Sequence, residues 1–229
     1  MIDTVLLDLD DTILDFHYAE AISLCRLLEG YGIPPTEETV RLYSEINDAH
    51  WKRLERGELT RREVQIGRFT ELFERLGIER SSEEANRQYM QGIATCGQMV
   101  NGADRLLQML RAAHIRVYIV SNGSASVQYG RMAAAGITDF FDGIFLSEEI
   151  GFEKPKREFF DRCAAQIPQF DAAKTVILGD SLTSDILGGI HAGIETCWFN
   201  PRGKKGREDI VPDHEIRDLS DFLPLILNR

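Results

Sequence analysis

A strand-type apolar run, Val5-Leu6-Leu7, leads directly into Asp8-Leu9-Asp10-Asp11-Thr12. Carboxylates this close repel one another at a strand end unless a cation or a phosphate chemistry makes use of them. The stretch reads as the catalytic edge of a phosphate-ester hydrolase, and it restricts the fold to one that can present such an edge.

The remainder of the chain supplies that fold. Beyond Asn101, strand patterns at Ile115–Val120, Ile144–Leu146, Thr175–Leu178 and Glu195–Phe199 alternate with helical patterns. The helices are read at Ala103–Ala113, Ser124–Ala134, Arg157–Gln166 and Ile186–Ala192, with a closing helix at Asp218–Leu227 after Asp213-His214-Glu215-Ile216. Strands and helices in this alternation form βαβ units, so the expected class is α/β with a mostly parallel sheet covered on both faces. Ligands of such sheets sit at the carboxyl ends of the strands.

The stretch from Tyr18 to Cys96 has a different texture. Apolar residues recur at helical spacing, Gly30, Gly57 and Gly77 stop the repeats, and Thr36, Thr60 and Ser81 stand at helix starts. Thr60 with Glu63, and Ser81 with Glu84, carry the capping-box spacing. No strand pattern occurs there. The expected organisation is a catalytic core of residues 1–15 and 97–229, with residues 16–96 inserted as an all-helical cap.

Bulk properties exclude several classes. Lys and Arg number 26 against 37 Asp and Glu, a net charge of −11, which disfavours a nucleic-acid polymer as partner. No run is long enough for a membrane span. Cys25, Cys96, Cys163 and Cys197 show no C-x-x-C spacing and read as buried, reduced thiols. Met1 leads straight into the first strand without a basic start or a long apolar stretch, so a cytoplasmic protein is expected.

Four predicted strand ends or helix starts carry reactive groups: Asp8, Asp10 and Thr12 on the first, then Ser121-Asn122-Gly123, then Lys154 before Pro155, then Gly179-Asp180 with Asp185. In this order they resemble the four motifs of the haloacid dehalogenase (HAD) superfamily, and the resemblance spans nearly the whole chain. It implies a Rossmann-like, doubly wound core, a helical cap inserted after the first motif, and Mg²⁺-dependent phosphoryl transfer through an aspartyl-phosphate. Asp8 is then the nucleophile and a metal ligand, and Asp10 the acid–base, lending its backbone carbonyl to the metal. Asp180 completes the metal site, and Asp185 holds the metal through water or orients Lys154. Ser121 and the amides of Asn122 and Gly123 bind phosphate oxygens, while Lys154 offsets charge. Asp10 also favours a phosphatase over the dehalogenase branch, which lacks an acid at that position.

Within the cap, Ile46-Asn47, Trp51, Gly57, Thr60 and Arg68-Phe69, together with Gly151-Phe152 ahead of Lys154-Pro155, resemble the pyrimidine 5′-nucleotidase branch. The resemblance implies a nucleoside 5′-monophosphatase preferring pyrimidines, with the Gly57–Thr60 loop as specificity element. The plainer alternative makes Trp51 and Phe69 core residues and leaves His50 and Arg68 solvated. Rival functions are a phosphatase for a sugar phosphate or phosphoglycolate, a phosphosugar mutase, and an inactive binding module. The expected partner is a small phosphorylated substrate, and the chain a monomer or homodimer.

Overall fold

The computed structural model describes residues 2–227. In chain order the elements are β1 (Thr4–Leu7), α1 (Phe16–Gly30), α2 (Glu37–Glu55), α3 (Arg61–Leu76), α4 (Ser82–Ala94), α5 (Ala103–Ala112), β2 (Arg116–Ser121), α6 (Ala125–Ala135), β3 (Gly143–Leu146), α7 (Ser147–Ile150), α8 (Arg157–Ala164), β4 (Thr175–Gly179), α9 (Leu187–Ala192), β5 (Glu195–Phe199), β6 (His214–Ile216) and α10 (Phe222–Leu227). They divide into two compact units: the residues up to Asp15 with those from Gly97 onward, and Phe16–Cys96.

The first unit holds one parallel sheet in the order β3-β2-β1-β4-β5-β6. This is a doubly wound order, with the reversal at β1, which pairs with β2 on one side and β4 on the other. Strand alternation separates the apolar side chains onto two faces. Val5, Leu7, Val117, Ile119, Val176 and Leu178 join one core with α5 and α10. Leu6, Tyr118, Val120 and Ile177 join the other with Phe159 and Phe160 of α8. A strand buried on both faces is apolar throughout, which is why β1, β2 and β4 were legible as strands.

Three local features depart from the sequence reading. His214–Ile216, expected only to precede the last helix, is a sixth strand, pairing His214 with Cys197 and Ile216 with Phe199. The expected helix Asp218–Leu227 is a 3₁₀ turn, Leu219–Asp221, followed by α10. A π-helical turn, Leu182–Ile186, precedes α9 and carries Asp185.

The second unit is built of α1 to α4 and has its own aromatic core. Tyr43, Phe69 and Tyr89 meet pairwise with ring centroids 5.2 to 5.4 Å apart. The Thr60–Glu63 capping box is formed. At Ser81 only half of one forms, because the Glu84 carboxylate accepts from Arg87 and Gln88 instead. His50 and Arg68, solvated in the plainer reading, are both buried, and Trp51 is half-buried rather than core. The Arg68 guanidinium donates to Asn47 Oδ1 and Asn86 Oδ1 at 2.8 Å each, and lies over the Tyr89 ring. Asn47 in turn donates to the buried carboxylate of Glu20 and accepts from the Trp51 indole. Of the four cysteines, all unpaired with one another, Cys163 and Cys197 are buried while Cys25 and Cys96 are half-buried.

Candidate active site

Asp8 lies one residue past β1. Its amide donates to Leu178 O at 2.9 Å, so the sheet ladder continues just far enough to fix it. Asp8 Oδ1 accepts from Lys154 Nζ at 2.7 Å and Oδ2 from Thr12 Oγ1 at 3.2 Å. The same ammonium donates to Asp185 Oδ1 at 2.6 Å and to Val120 O at 2.7 Å, which uses all three of its protons. Lys154 is only 1% exposed. Burial works against its charge, but Asp185 and Asp8 outweigh it and raise its pKa. For Asp8, burial and then the Asp185 charge raise the pKa well above the ordinary value, with Lys154 opposing.

The placement of Asp185 follows from local sequence. Ser181 caps the π turn, its Oγ accepting from Ser184 N. The Ser181 amide donates to Asp185 Oδ2 at 3.0 Å. A Cβ on Gly179 would stand 2.3 Å from that oxygen, so the residue before Asp180 must be glycine. Both carboxylate oxygens of Asp185 thus have partners, one of them Lys154. This arrangement suits an orienting group for the lysine.

Asp180 is half-buried, its backbone carbonyl fixed by the Trp198 indole at 2.9 Å. Burial, then Asp185 and Asp11, push its carboxyl up to about 7, and Lys204, 3.4 Å from Oδ2, opposes. Asp8, Asp180 and Asp185 each offer a carboxylate oxygen, all within 4.8 Å of one another. An all-oxygen donor set of this size suits a hard divalent cation such as Mg²⁺. Burial is the larger cause of the raised pKa values of Asp8 and Asp180, and the part that comes from neighbouring carboxylates is crowding that a cation would relieve.

Ser121, at the end of β2, accepts through Oγ from Gln128 Nε2 at 2.8 Å and from Gly123 N at 3.0 Å. With both bonds accepted, the hydroxyl proton is left to donate, as a phosphate oxygen requires. The Gly123 amide, expected to serve phosphate, is therefore turned to Ser121. Asn122 clamps the lysine loop: its Nδ2 donates to Lys154 O at 2.9 Å and its Oδ1 accepts from Lys154 N at 2.8 Å.

Asp10 does not continue the strand. The chain turns after Leu9, with Asp11 at φ 58° and its amide donating to Leu14 O. The Asp10 carboxylate accepts from Gln128 Nε2 at 2.6 Å and pairs with the Arg131 guanidinium. Sequence reading assigned neither Gln128 nor Arg131. The available signal was two polar residues three apart in a helix directly after Ser-Asn-Gly, a spacing that places both on one face.

Fold and site together define a doubly wound α/β enzyme whose acidic centre, bridged by a buried lysine, lies at the carboxyl ends of β1, β2 and β4. The chain belongs to the haloacid dehalogenase-like hydrolase family, which it matches over residues 2–193. It is 41% identical to the HAD-hydrolase YfnB of Bacillus subtilis over 223 residues, 97% of this chain and 94% of that protein. The crystal structure of YfnB, described as bound to magnesium, superimposes with a TM-score of 0.94 at 40% identity over 99% of both chains. The pyrimidine 5′-nucleotidase PynA of Streptococcus pneumoniae is 35% identical, covering 96% of this chain and 92% of its own. The pyrimidine 5′-nucleotidase YjjG of Escherichia coli is 31% identical, covering 98% and 97%. No helix among the described residues is long and apolar enough to cross a membrane.

Proposed function

We propose that this chain is a Mg²⁺-dependent phosphomonoester hydrolase acting through an aspartyl-phosphate on Asp8, and that its substrates are nucleoside 5′-monophosphates, pyrimidines preferred. The observation that carries the reading is the Asp8 carboxylate. It stands at the tip of the central strand, 2.7 Å from Lys154 Nζ and within 4.8 Å of oxygens of Asp180 and Asp185. The pyrimidine preference rests on the full-length likeness to PynA and YjjG. The residues up to Asp15 and from Gly97 onward form the catalytic unit in this reading, and Phe16–Cys96 the cap.

An oxygen of Asp8 attacks phosphorus, and the bond from phosphorus to the ester oxygen breaks. Asp10 gives its proton to that departing oxygen, then takes one from the water that attacks the aspartyl-phosphate. Phosphorus leaves as orthophosphate and Asp8 is restored. Ser121 Oγ donates to a phosphate oxygen throughout. Lys154 holds Asp8 in line and, with Asp185, limits the charge gathered at the strand ends. The carboxylates of Asp8 and Asp180 and the carbonyl of Asp10 would hold Mg²⁺, with Asp185 behind them. The ion supplies neutralisation of phosphate charge.

Phosphate release measured over pyrimidine and purine nucleoside 5′-monophosphates, sugar phosphates and 2-phosphoglycolate, with Mg²⁺ and with excess EDTA, tests both parts. Turnover that survives EDTA would remove the metal, and a sugar phosphate or phosphoglycolate outrunning every nucleotide would remove the nucleotidase assignment.

A further inference from the structure

Gln128 and Arg131 are 1% and 0% exposed, yet both are polar and both point from α6 to the same carboxylate, that of Asp10. The cost of burying a guanidinium and a primary amide is offset only where their partners are fixed. Two details show that the sequence is adapted to this arrangement. A Cβ on Gly123 would stand 2.1 Å from Gln128 Nε2, so the glycine of Ser-Asn-Gly makes room for the amide. The Gln128 amide also spends its two protons on two different groups, Asp10 Oδ2 and Ser121 Oγ. One side chain thus ties the proposed proton donor to the proposed phosphate-binding hydroxyl.

The reason for such a tether lies in Asp8. A carboxylate two residues from a metal-binding carboxylate is a candidate ligand for the same cation, and a ligand cannot also carry a proton to the departing oxygen. The Asp10 carboxylate stands outside the Asp8, Asp180 and Asp185 cluster, on the side of α6.

We propose that Gln128 and Arg131 are positioning residues for the reaction: they hold the Asp10 carboxylate apart from the metal-binding acids, in register with Ser121, so that it serves proton transfer to the leaving oxygen. The inference rests on the reading of Asp10 as acid–base. Its signature is dependence on the leaving group. A 4-nitrophenolate departs without help, whereas the more basic phenolate needs a proton.

The test compares kcat/KM for phenyl phosphate and 4-nitrophenyl phosphate, with Mg²⁺, in wild type, Asp10→Asn, Gln128→Leu, Arg131→Met and Arg131→Lys. Asp10→Asn is the reference and should lose far more on phenyl phosphate than on the nitrophenyl ester. Arg131→Met should lose about 10-fold to 100-fold on phenyl phosphate and less than about threefold on the nitrophenyl ester, and Gln128→Leu, which also releases Ser121, should lose on both esters but about 10-fold more on phenyl phosphate. Arg131→Lys, which keeps the charge without the fork, should fall between them and wild type. If Arg131→Met does not fold, as judged by its thermal melt, Gln128→Leu decides. Equal losses on both esters in a folded Gln128→Leu protein, alongside a leaving-group-selective Asp10→Asn, would overturn the positioning role while sparing the acid–base reading. An Asp10→Asn protein without that selectivity would overturn both.

Discussion

Lys154 Nζ stands 2.7 Å from Asp8 Oδ1, and the two residues are 146 positions apart in the chain. The contact closes only because β1 and β2 are neighbours in the sheet and Asn122, just past β2, clamps the Lys154 backbone at two points. The proposed nucleophile and its counter-charge therefore depend on strand order rather than on any local segment.

Asp8→Asn follows from this contact. The amide oxygen can still accept from Lys154, and one of the mutually repelling buried carboxylates is gone. Turnover of phenyl phosphate should fall by about 1,000-fold or more, as it does when a covalent nucleophile is lost. The thermal midpoint in EDTA should stay level or rise. A variant that retains half the wild-type rate would refute the aspartyl-phosphate.

Lys154→Met should behave in the opposite way toward stability. It leaves Asp8 and Asp185 buried without the cation that both contact. Breaking a buried pair from one side costs about 3–5 kcal/mol. We expect a large fall in thermal midpoint in EDTA, partly recovered by Mg²⁺. A midpoint equal to that of wild type would show that the ion pairs contribute nothing to the fold.

The reach of the sequence is seen in which residues it exposed. Asp8, Ser121 and Asp180 were legible because each stands at the end of an apolar strand run, and Lys154 because it precedes Pro155 at a helix start. β6 was not, because three residues carry too little alternation, and its pairing with β5 is decided by tertiary contact. Gln128 and Arg131 were hidden for a different reason. Buried polar residues on a helix resemble solvated ones until the partner is known, and the partner here, Asp10, lies 118 and 121 residues away. Arg68 misled in the same way, since its acceptors Asn47 and Asn86 come from two other helices.

The response to pH follows from Asp180. Its carboxyl is moved from the ordinary 3.8 up to about 7, and Asp8 is displaced in the same direction. An acid raised on folding keeps its proton longer in the folded chain, so it favours the fold at low pH and withdraws that support as pH rises from about 4 to about 7. A bound proton also competes with a cation for the same oxygen. The rise in thermal midpoint produced by a fixed Mg²⁺ concentration should therefore be larger at pH 7.5 than at pH 5.5. Differential scanning fluorimetry with Mg²⁺ and with EDTA at each pH measures it, and an equal or smaller shift at pH 7.5 would contradict the assignment of Asp180 as a ligand.

Asn47→Ala addresses the helical unit. Asn47 Oδ1 accepts from Arg68 at 2.8 Å and from the Trp51 indole at 3.1 Å, while its amide donates to Glu20 Oε1 at 2.8 Å. Truncation leaves a buried guanidinium and a buried carboxylate each short of a partner, and releases the indole. Loss of one acceptor from a buried charged donor costs about 1–3 kcal/mol, and two groups are affected here. We expect a lower midpoint for the transition that involves the helical unit, together with a change in Trp51 fluorescence. The double variant Asn47→Ala with Arg68→Leu separates the causes. If the cost arises from the stranded guanidinium, replacing Arg68 by an apolar side chain should recover part of the lost stability, because the orphaned charge is removed with it. If the cost arises from the space left by Asn47, the second substitution should deepen the loss.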